Sequence, residues 1–375
     1  MPSLARIPGL RQLPQAMGRV RDDVVLFESW RGQFSDNPRA ISEELQRRGT
    51  GLEHVWVIDP SLAGELPDWV VPVAPESREH IAMMGRARYL VSNGTALGFH
   101  RKRRGTTFVQ TWHGTPLKKI GFHTKRSGSR TAQLAEKTLE RNIPNWDLLL
   151  SPNSFSTPIL REAFRYSGPI VEAGYPRNDL LLSPEAGAIR DRVRERLGIA
   201  PGRQVVLYAP TFRDERPFAR EADAQRLAGD LRATHDLLLR LHKIDAGQLL
   251  AGGGTLFRDV SDYPDNRELY LAADVLVTDY SSVMFDFAVT RKPMLFFTPD
   301  LAQYRDELRG FYFDFEAEAP GPLLSSADEL VRALEDLDAA LAGYEARYAA
   351  FVERFCHLDD GHASERVVDA MLETG

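Results

Sequence analysis

The segment 110–119 contains the residues of this chain best suited to chemistry. Its sequence is Gln-Thr-Trp-His-Gly-Thr-Pro-Leu-Lys-Lys, and it begins within an apolar, β-branched run, 106–112, that predicts a buried strand. His113 would then lie at the carboxyl end of a parallel strand, where open α/β sheets bind their ligands. An imidazole there can accept or donate a proton near neutral pH. The alternative is a core or loop histidine beside a surface pair of lysines.

The residues after His113 favour a site for an anion. Gly114 would let a substrate come close, and the ammonium groups of Lys118 and Lys119 suit phosphate. The two lysines belong to a stretch, 94–131, that has no acidic residue in a chain whose formal net charge is −6. We call its basic residues the basic cluster: Arg101, Lys102, Arg103, Arg104, Lys118, Lys119, Lys125, Arg126 and Arg130. Such asymmetry predicts an anionic partner, either a phosphorylated substrate or an anionic membrane surface, and a solvated basic face is the alternative.

A second candidate site lies in the segment 278–287. A predicted strand ends at Thr278, Ser281 and Ser282 follow, and a helix is predicted to begin at Ser282 or Val283. Free backbone N–H groups, two hydroxyls and a helix N-terminus together suit a phosphate. Asp286, one turn into the helix, is predicted to face the same cleft as Ser282. Ordinary N-capping by serine is the alternative.

Two further strands are predicted to end in phosphate-binding groups. The segment 208–214 follows one strand and contains the guanidinium of Arg213, which suits bidentate phosphate contact. His242 and Lys243 follow the next strand. Singly, each side chain is most simply a solvated one. Because three strands of one region end in such groups, we expect them to converge on one edge of a sheet.

The elements that must position these residues alternate between strand and helix. Strands are predicted at 24–27, 55–58, 88–92, 106–112, 147–151, 204–208, 236–241, 255–257, 274–278 and 293–297. Helices are predicted at 39–48, 77–86, 129–140, 189–197 and 268–273, with a mostly helical tail from 328 to 374. The alternation predicts βαβ units with parallel sheets, arranged as two successive Rossmann-like halves that meet near residue 185.

Composition excludes several classes. With 43% hydrophobic and 27% charged residues, the 375-residue chain is predicted to be globular with two domains. The single cysteine, Cys356, predicts a reducing cytoplasm and neither disulfides nor a thiolate zinc site. We expect no membrane-spanning helix and no signal peptide. The negative net charge argues against a general nucleic-acid binder, and the lack of Walker, G-x-G-x-x-G, H-E-x-x-H or suitable Asp-x-Asp motifs favours metal-free electrostatics.

Taken together, these segments resemble a known family. Its motifs are matched by Thr111 to Lys118, Ser151 to Ser154, Gly174 to Asp179, Tyr208 to Arg213, His242-Lys243 and Thr278 to Ser282, in the family's order and across most of the chain, 24–363. The chain resembles the CDP-glycerol glycerophosphotransferases, the teichoic-acid primases and polymerases of bacterial cell-wall synthesis.

The resemblance implies an α/β, GT-B-like fold, in which two Rossmann-like domains with parallel sheets face each other across a cleft. The expected domains are an acceptor-side domain at 1–184, a CDP-glycerol-binding domain at 185–345 and a C-terminal helix at 346–375 that packs back on the first. It implies that His113 is the general base and that His242 contacts the donor pyrophosphate. The other implied donor or phosphate-binding residues are Arg213, Thr211, Asp279, Ser281, Ser282, Lys243 and Asp286, and the acceptor-side residues are Gly114, Thr115, Lys118 and Lys119.

The implied reaction transfers glycerol phosphate from CDP-glycerol to a hydroxyl of an anionic polymer or an undecaprenyl-pyrophosphate-linked acceptor, and releases CMP. We expect no cofactor, no required metal and no nucleic-acid partner, and a cytoplasmic enzyme peripherally bound to the inner membrane face. A ribitol-phosphate transferase using CDP-ribitol, or a GT-B glycosyltransferase using a nucleotide-sugar, are the alternatives. A non-enzymatic glycan or nucleotide binder is disfavoured because His113 and His242 are both present.

Overall fold

In the computed structural model, two compact units make up the chain. The structure describes residues 18–30, 32–94, 102–124, 130–211, 217–241, 256–305 and 310–374. Unit 1 comprises Met1–His113, Ile120–Asp179 and Leu358–Gly375, and unit 2 comprises Gly114–Lys119 and Leu180–His357. These limits differ from the expected domains in three places: Gly114–Lys119 belongs to unit 2, unit 2 resumes at Leu180 and not at 185, and the chain returns to unit 1 only at Leu358.

Unit 1 is built on a seven-stranded parallel sheet with the order β3-β2-β1-β4-β5-β6-β7. Its strands are β1 (Arg21–Glu28), β2 (Glu53–Val57), β3 (Val70–Val73), β4 (Ala87–Ser92), β5 (Thr107–Gln110), β6 (Leu148–Ser151) and β7 (Ile170–Glu172). Its helices are α1 (Asp36–Arg47), α2 (Arg78–Met84), α3 (Arg130–Asn142), α4 (Ser156–Ala163) and the C-terminal helix Ala363–Glu373. Short 3-10 helices occur at Pro60–Glu65, Gly121–His123 and Ile143–Asn145, and another, Pro176–Leu182, begins at the end of this unit's central segment.

Unit 2 is built on a six-stranded parallel sheet with the order β10-β9-β8-β11-β12-β13. Its strands are β8 (Gln204–Tyr208), β9 (His235–Leu239), β10 (Arg258–Asp259), β11 (Val275–Thr278), β12 (Met294–Phe297) and β13 (Leu323–Leu324). Its helices are α5 (Ala186–Arg196), α6 (Pro217–Asp230), α7 (Asn266–Ala272), α8 (Val283–Ala288), α9 (Leu301–Gln303), α10 (Phe315–Glu318), α11 (Ala327–Glu335), α12 (Leu337–Leu341) and α13 (Glu345–Phe355). The C-terminal helix of unit 1 is therefore α14.

Both sheets change direction at the same point in their strand order. Three strands run outward from β1 to β3, and the chain then returns to place β4 on the other side of β1. In unit 2, β11 returns beside β8 in the same way. Such a reversal opens a crevice outside the carboxyl ends of the two adjoining strands, and ligands of open α/β sheets bind there. The predicted Rossmann-like α/β class, with two parallel sheets, is confirmed.

Alternating burial explains why these sequences form sheets covered on both faces. In β1, Val24 and Leu26 belong to one apolar cluster, whereas Val25 and Phe27 belong to another on the opposite face. The second cluster also contains Val367 and its neighbours from α14, so the last helix covers one face of the unit 1 sheet. Strands apolar on both faces are typical of parallel sheets.

The strand predicted at 106–112 is wrong at its carboxyl end, because β5 stops at Gln110. The side-chain oxygen of Gln110 accepts a hydrogen bond from the Trp112 amide at 2.8 Å, and Trp112 has a positive φ of 52°. Both features turn the chain away from the sheet. The strand predicted at 255–257 is also misplaced: residues 256 and 257 are in a bend, and β10 follows at Arg258–Asp259.

Within the part of the chain that the structure describes, no helix has the length and apolar character needed to cross a bilayer.

Candidate active site

His113 lies at the switch point of the unit 1 sheet, held by the loops that follow β4 and β5. Its Nδ1 is 2.9 Å from the carbonyl oxygen of Asn93, one residue beyond β4. Because a carbonyl oxygen only accepts, Nδ1 carries the proton and donates it. The neutral ring therefore keeps its lone pair on Nε2, which is the atom that can accept a proton from a substrate.

Two indole rings flank this imidazole. The Trp112 ring is stacked at a centroid distance of 4.1 Å, and the Trp30 ring lies tilted at 4.9 Å. Burial is the largest influence on the ring and lowers the pKa of His113, while the Asn93 carbonyl and the Asp36 carboxylate raise it in part. The net pKa is below the usual histidine value. His113 is therefore neutral at pH 7, as a general base must be.

The motif 174–179 organises the surroundings of His113 and the returning C-terminal segment. A Cβ on Gly174, whose φ is +80°, would lie 2.7 Å from the backbone oxygen of Leu358, so only glycine fits this approach. The Asp179 carboxylate accepts hydrogen bonds from the amides of Ala363 and Ser364, at 3.0 and 2.7 Å, at the start of α14. From the same motif, the Arg177 guanidinium forms an ion pair with Asp36.

The residues after His113 are part of unit 2. A Cβ on Gly114 would lie 2.9 Å from the Ser282 hydroxyl oxygen and 3.1 Å from its Cβ, so this glycine is in close contact with a predicted donor-side serine. Thr115 is buried. The structure thus brings Gly114, predicted on the acceptor side, against Ser282; which substrate either residue meets stays a prediction.

The two lysines of this segment are held by the stretch 310–313. Lys118 forms an antiparallel bridge with Phe311, and the Lys119 amide donates to the Gly310 carbonyl at 3.1 Å. The Lys119 ammonium lies 3.9 Å from the centroid of the Tyr312 ring, a cation–π distance. These contacts give the segment a fixed course in unit 2, and an acceptor contact by either lysine remains a prediction.

At the switch point of the unit 2 sheet, Asp279 connects the loops that follow β8 and β11. Its Oδ1 accepts hydrogen bonds from the amides of Thr211 and Tyr280, at 2.8 and 2.6 Å, and the residue is buried. The Thr278 hydroxyl donates to the Ala209 carbonyl at 2.7 Å and adds a second link. Asp279 thus has a structural role at a position where the sequence predicted donor binding. Thr211, another predicted donor-side residue, lies next to Asp279 through this hydrogen bond.

Ser281 and Ser282 precede α8 without a strong cap. Ser282 occupies the N-cap position, but its side chain makes no capping hydrogen bond. The Val283 amide, at the first position of the helix, donates a long hydrogen bond of 3.5 Å to the Ser281 hydroxyl oxygen. Capping by the Ser282 side chain is therefore absent, and capping by Ser281 is limited to this long contact. Asp286 is buried on this helix, and its place in the same cleft as Ser282 stays a prediction.

Three predicted residues, Arg213, His242 and Lys243, lie outside the described residues. The structure does describe Arg240, which directly follows β9 and which the sequence interpretation missed. Its guanidinium donates to the carbonyls of Val260 and Tyr263, at 2.6 and 3.0 Å, and so ties the loop after β10 to the carboxyl end of β9. The sequence prediction placed Arg240 inside the strand 236–241, so its position at a strand end appears only in the structure.

Parts of the basic cluster have structural partners. The Lys102 ammonium pairs with Asp147 at 3.0 Å, and Arg103 donates to the carbonyls of Gly18 and Gly85 at 2.7 and 3.1 Å. Arg104 is exposed. Arg101, Lys125 and Arg126 lie outside the described residues, as does the side chain of Arg130. These contacts explain Lys102 and Arg103 without an anionic ligand.

Around His113, the sequence interpretation missed Trp30, Asn93 and Asp36. Trp30 and Asn93 follow strand ends, a signal that the sequence contains, whereas the proximity of Asp36 to Arg177 depends on the tertiary fold. Among the described residues, no group of three or more His, Cys, Asp or Glu side chains could hold a metal ion. The expectation of metal-free chemistry is not tested by that finding.

Comparison with known proteins shows the family of this chain. The family described as CDP-Glycerol:Poly(glycerophosphate) glycerophosphotransferase matches residues 12–373. The chain belongs to this family. The resemblance predicted from the sequence motifs is therefore confirmed.

Curated relatives cover nearly the whole of this chain. It is 36% identical over 367 residues to the teichoic acid poly(glycerol phosphate) polymerase of Bacillus subtilis (strain 168), covering 94% of this chain and 49% of that protein. It is also 36% identical over 365 residues to the teichoic acid glycerol-phosphate transferase of Staphylococcus aureus (strain NCTC 8325 / PS 47), covering 94% and 93%. The chain thus spans about half the length of the first relative and nearly all of the second. A teichoic acid ribitol-phosphate polymerase, TarL of the same S. aureus strain, is 29% identical over 305 residues, covering 76% of this chain and 51% of that protein.

A solved structure of the wall teichoic acid polymerase TagF has the same fold. It superposes with a TM-score of 0.87 at 33% sequence identity, covering 97% of this chain and 93% of that chain. The predicted GT-B-like fold is confirmed by this likeness.

Proposed function

We propose that the chain transfers glycerol phosphate from CDP-glycerol to an acceptor hydroxyl in teichoic-acid-type polymer synthesis, with His113 as the general base. The observation that carries the proposal is the imidazole itself. It is neutral, its tautomer is set by Asn93 with the lone pair on Nε2, and it lies at a sheet switch point in a member of this family.

In the proposed step, Nε2 of His113 takes the proton of the acceptor hydroxyl while the hydroxyl oxygen bonds to the phosphorus that carries the glycerol. The bond from that phosphorus to the CMP oxygen breaks, and CMP leaves with the electron pair. The developing negative charge needs positive or hydrogen-bonding partners, and Arg213, His242, Lys243 and the Ser281–Ser282 segment are the proposed ones. Loss of one such contact costs about 3–4 kcal/mol of transition-state stabilisation.

Glycerol is favoured over ribitol by the relatives. Two relatives whose names specify glycerol phosphate are 36% identical to this chain, whereas the ribitol-phosphate polymerase is 29% identical over a shorter alignment. The margin supports CDP-glycerol as the donor and CDP-ribitol as the alternative to be tested.

The proposed acceptor is an anionic polymer or a lipid-pyrophosphate-linked chain, reached by an enzyme peripherally bound at the inner membrane face. Support for an anionic acceptor comes from the acid-free stretch 94–131 and the exposed Arg104 within it. We propose that neither cofactor nor metal is required, since positively charged side chains can stabilise the leaving phosphate.

The test is release of free nucleotide by the purified chain. CDP-glycerol, CDP-ribitol and a UDP-sugar are each incubated with a lipid-linked polyol-phosphate acceptor, with and without EDTA, and the nucleotide product is quantified. We expect acceptor-dependent CMP release from CDP-glycerol that is insensitive to EDTA. Faster CMP release from CDP-ribitol would identify the chain as a ribitol-phosphate transferase. If neither polyol donor releases CMP with any acceptor, the proposal is contradicted.

A further inference from the structure

The backbone around His113 adopts unusual conformations. Trp30, Asp36 and Trp112 have positive φ angles of 42°, 62° and 52°. Such angles are uncommon for residues other than glycine and cost free energy, so they persist only where surrounding contacts maintain them. All three residues lie at the carboxyl edge of the unit 1 sheet, and two of them contribute the rings that flank His113.

Two hydrogen bonds hold Trp30 in place. Its Nε1 donates a hydrogen bond to Oδ2 of Asp36 at 2.7 Å, and its backbone amide donates to Oδ1 of Asn93 at 3.3 Å. The Trp30 residue is 46% exposed, so burial alone would leave the ring free to change rotamer. The hydrogen bond to Asp36 therefore determines where this ring meets the imidazole.

Asp36 is in turn fixed by Arg177. The guanidinium Nη1 lies 2.7 Å from Oδ1 of Asp36, and the two side chains are only 7% and 10% exposed. The Asn37 amide donates to the same Oδ1 at 2.6 Å, and the Arg177 amide donates to the Asn37 side chain at 3.2 Å. Burial is the largest single influence and raises the pKa of Asp36, but the Arg177 guanidinium, the Asn37 amide and His113 together outweigh it, and the net pKa is lowered. Asp36 is therefore a carboxylate at neutral pH.

We propose that Asp36 and Arg177 are positioning residues, which hold the His113 ring through the Trp30 indole and keep a compensated negative charge beside it. The proposal rests on the proposed function, since it concerns how the general base is held. It gives a role to Arg177, whose motif has no chemical assignment from the sequence.

The physical argument has two parts. A hydrogen bond through Nδ1 still lets an imidazole rotate about that bond, and the two indoles remove this freedom, which preserves the direction of the Nε2 lone pair. The charges that the structure brings to bear on His113 are the carboxylate of Asp36, which raises its pKa, and the guanidinium of Arg177, which lowers it. A pair that served only to stabilise the fold would affect unfolding but would leave the ring's proton affinity and tautomer unchanged.

The experiment is a nitrogen-15 NMR titration of the histidines in the full chain, with the His113 signals assigned by their loss in His113→Gln. Asp36→Asn keeps the side-chain shape, and asparagine tolerates a positive φ, but it removes the carboxylate and leaves the Arg177 charge uncompensated. Both changes lower the pKa of His113, so its titration moves to lower pH. Glu43→Gln is the matched control, because it removes one carboxylate from the same helix, where Glu43 pairs with Arg39.

Trp30→Phe provides a second, independent measurement. It keeps an aromatic ring but removes the N–H that binds Asp36. Because the His113 ring would then be free to rotate about its Nδ1 hydrogen bond, we expect kcat to fall about 10- to 100-fold with little change in KM. This variant decides the case if Asp36→Asn does not fold.

The outcomes separate the two proposals. An unchanged His113 titration in Asp36→Asn, or an equal shift in Glu43→Gln, overturns the positioning role, as does an unchanged kcat in Trp30→Phe. If the titration moves but the acidic limb of the pH–rate profile does not follow it, the positioning role stands and the general-base assignment of His113 fails.

Discussion

At the scale of single residues, the proton affinity of His113 depends on opposing influences. Burial disfavours the imidazolium, and the hydrogen bond to the Asn93 carbonyl and the nearby Asp36 carboxylate recover only part of that loss. A base with a lowered pKa is weaker, but it is unprotonated over a wider pH range. The residue is thus suited to accept a proton from a hydroxyl at and below neutral pH.

This predicts the shape of the pH–rate profile. Because kcat/KM reports the free enzyme, its acidic limb should fall below the ordinary histidine value of about 6.5. The measurement is initial-rate CMP release from about pH 5 to 9 at constant ionic strength. An acidic limb above pH 6.5 would show that His113 is not the titrating base.

Gly114→Ala should disturb the contact with Ser282. The added Cβ would lie 2.9 Å from the serine hydroxyl oxygen, and we expect a stability loss of about 1–3 kcal/mol, as for overpacking, with reduced transfer activity. Gly187→Ala is the matched control, since a Cβ there meets nothing within 4 Å. Ser282→Gly in the Gly114→Ala background should restore thermal stability. If the effects of Gly114→Ala and Ser282→Gly on thermal stability simply add in the double mutant, the two residues do not constrain each other.

The sequence was sufficient to single out His113 because a histidine after an apolar run is a local pattern. It was not sufficient to find its supports. Asp36 and Arg177 are 141 positions apart in the chain and meet only through the tertiary fold. Trp30 could have been considered, because it lies two residues beyond β1, but nothing local indicates that its indole turns toward an imidazole.

At the scale of elements, β1 ends in a carboxyl group with an unusual environment. One oxygen of Glu28, Oε2, is buried and has no hydrogen-bond partner among the described residues. Burial raises the pKa of Glu28 to about 7. From about pH 4.5 upward the unfolded chain ionises this group before the folded chain does, so the folded state loses stability as the pH rises toward 7 and beyond.

Glu28→Gln should remove that loss. The pKa shift corresponds to a gain in the free energy of unfolding on the order of 3 kcal/mol at pH 8, and to little change in it at pH 4. All five tryptophans belong to unit 1, so urea unfolding followed by tryptophan fluorescence reports this unit. Glu140→Gln, at an exposed position of α3, is the control. Equal effects of Glu28→Gln at pH 4 and pH 8 would contradict the interpretation.

The start of α14 depends on a cap from a distant part of the chain. His362 occupies the N-cap position without a capping hydrogen bond, and Asp179 supplies the acceptor for the first amides. Asp179→Ala should therefore cost about 1–2 kcal/mol in the unfolding of unit 1. Asp22→Asn, at an exposed position of β1, should be neutral by the same fluorescence measurement. A neutral Asp179→Ala would show that the cap is dispensable.

At the scale of the whole molecule, two successive parallel sheets were predictable, and the errors fall at their edges. The strands without a sequence prediction, β3, β7 and β13, each end a sheet, and so does the misplaced β10. Edge strands have one neighbour, are short and carry less continuous apolar sequence; β3 even contains Pro72, which edge positions tolerate. Central strands are buried on both faces and so produce the strong apolar runs that the prediction depended on.

The passage of Gly114–Lys119 into unit 2 was not predictable from the sequence. Its contacts with Gly310, Phe311 and Tyr312 join segments almost 200 residues apart. No periodicity marks such a segment, because its amides pair with a distant loop and not with a neighbouring strand. The consequence for function is that the chain changes units directly after the candidate base.

The central claim is that this chain moves glycerol phosphate with His113 as the base. The most direct measurement is acceptor-dependent CMP release from CDP-glycerol by the wild-type chain and by His113→Gln, compared at equal folded concentration. We predict that the wild type releases CMP and that the variant loses at least about 100-fold in kcat, the lower range for a general base, with an unchanged unfolding midpoint. A folded His113→Gln chain that turns over CDP-glycerol at the wild-type rate would contradict the account.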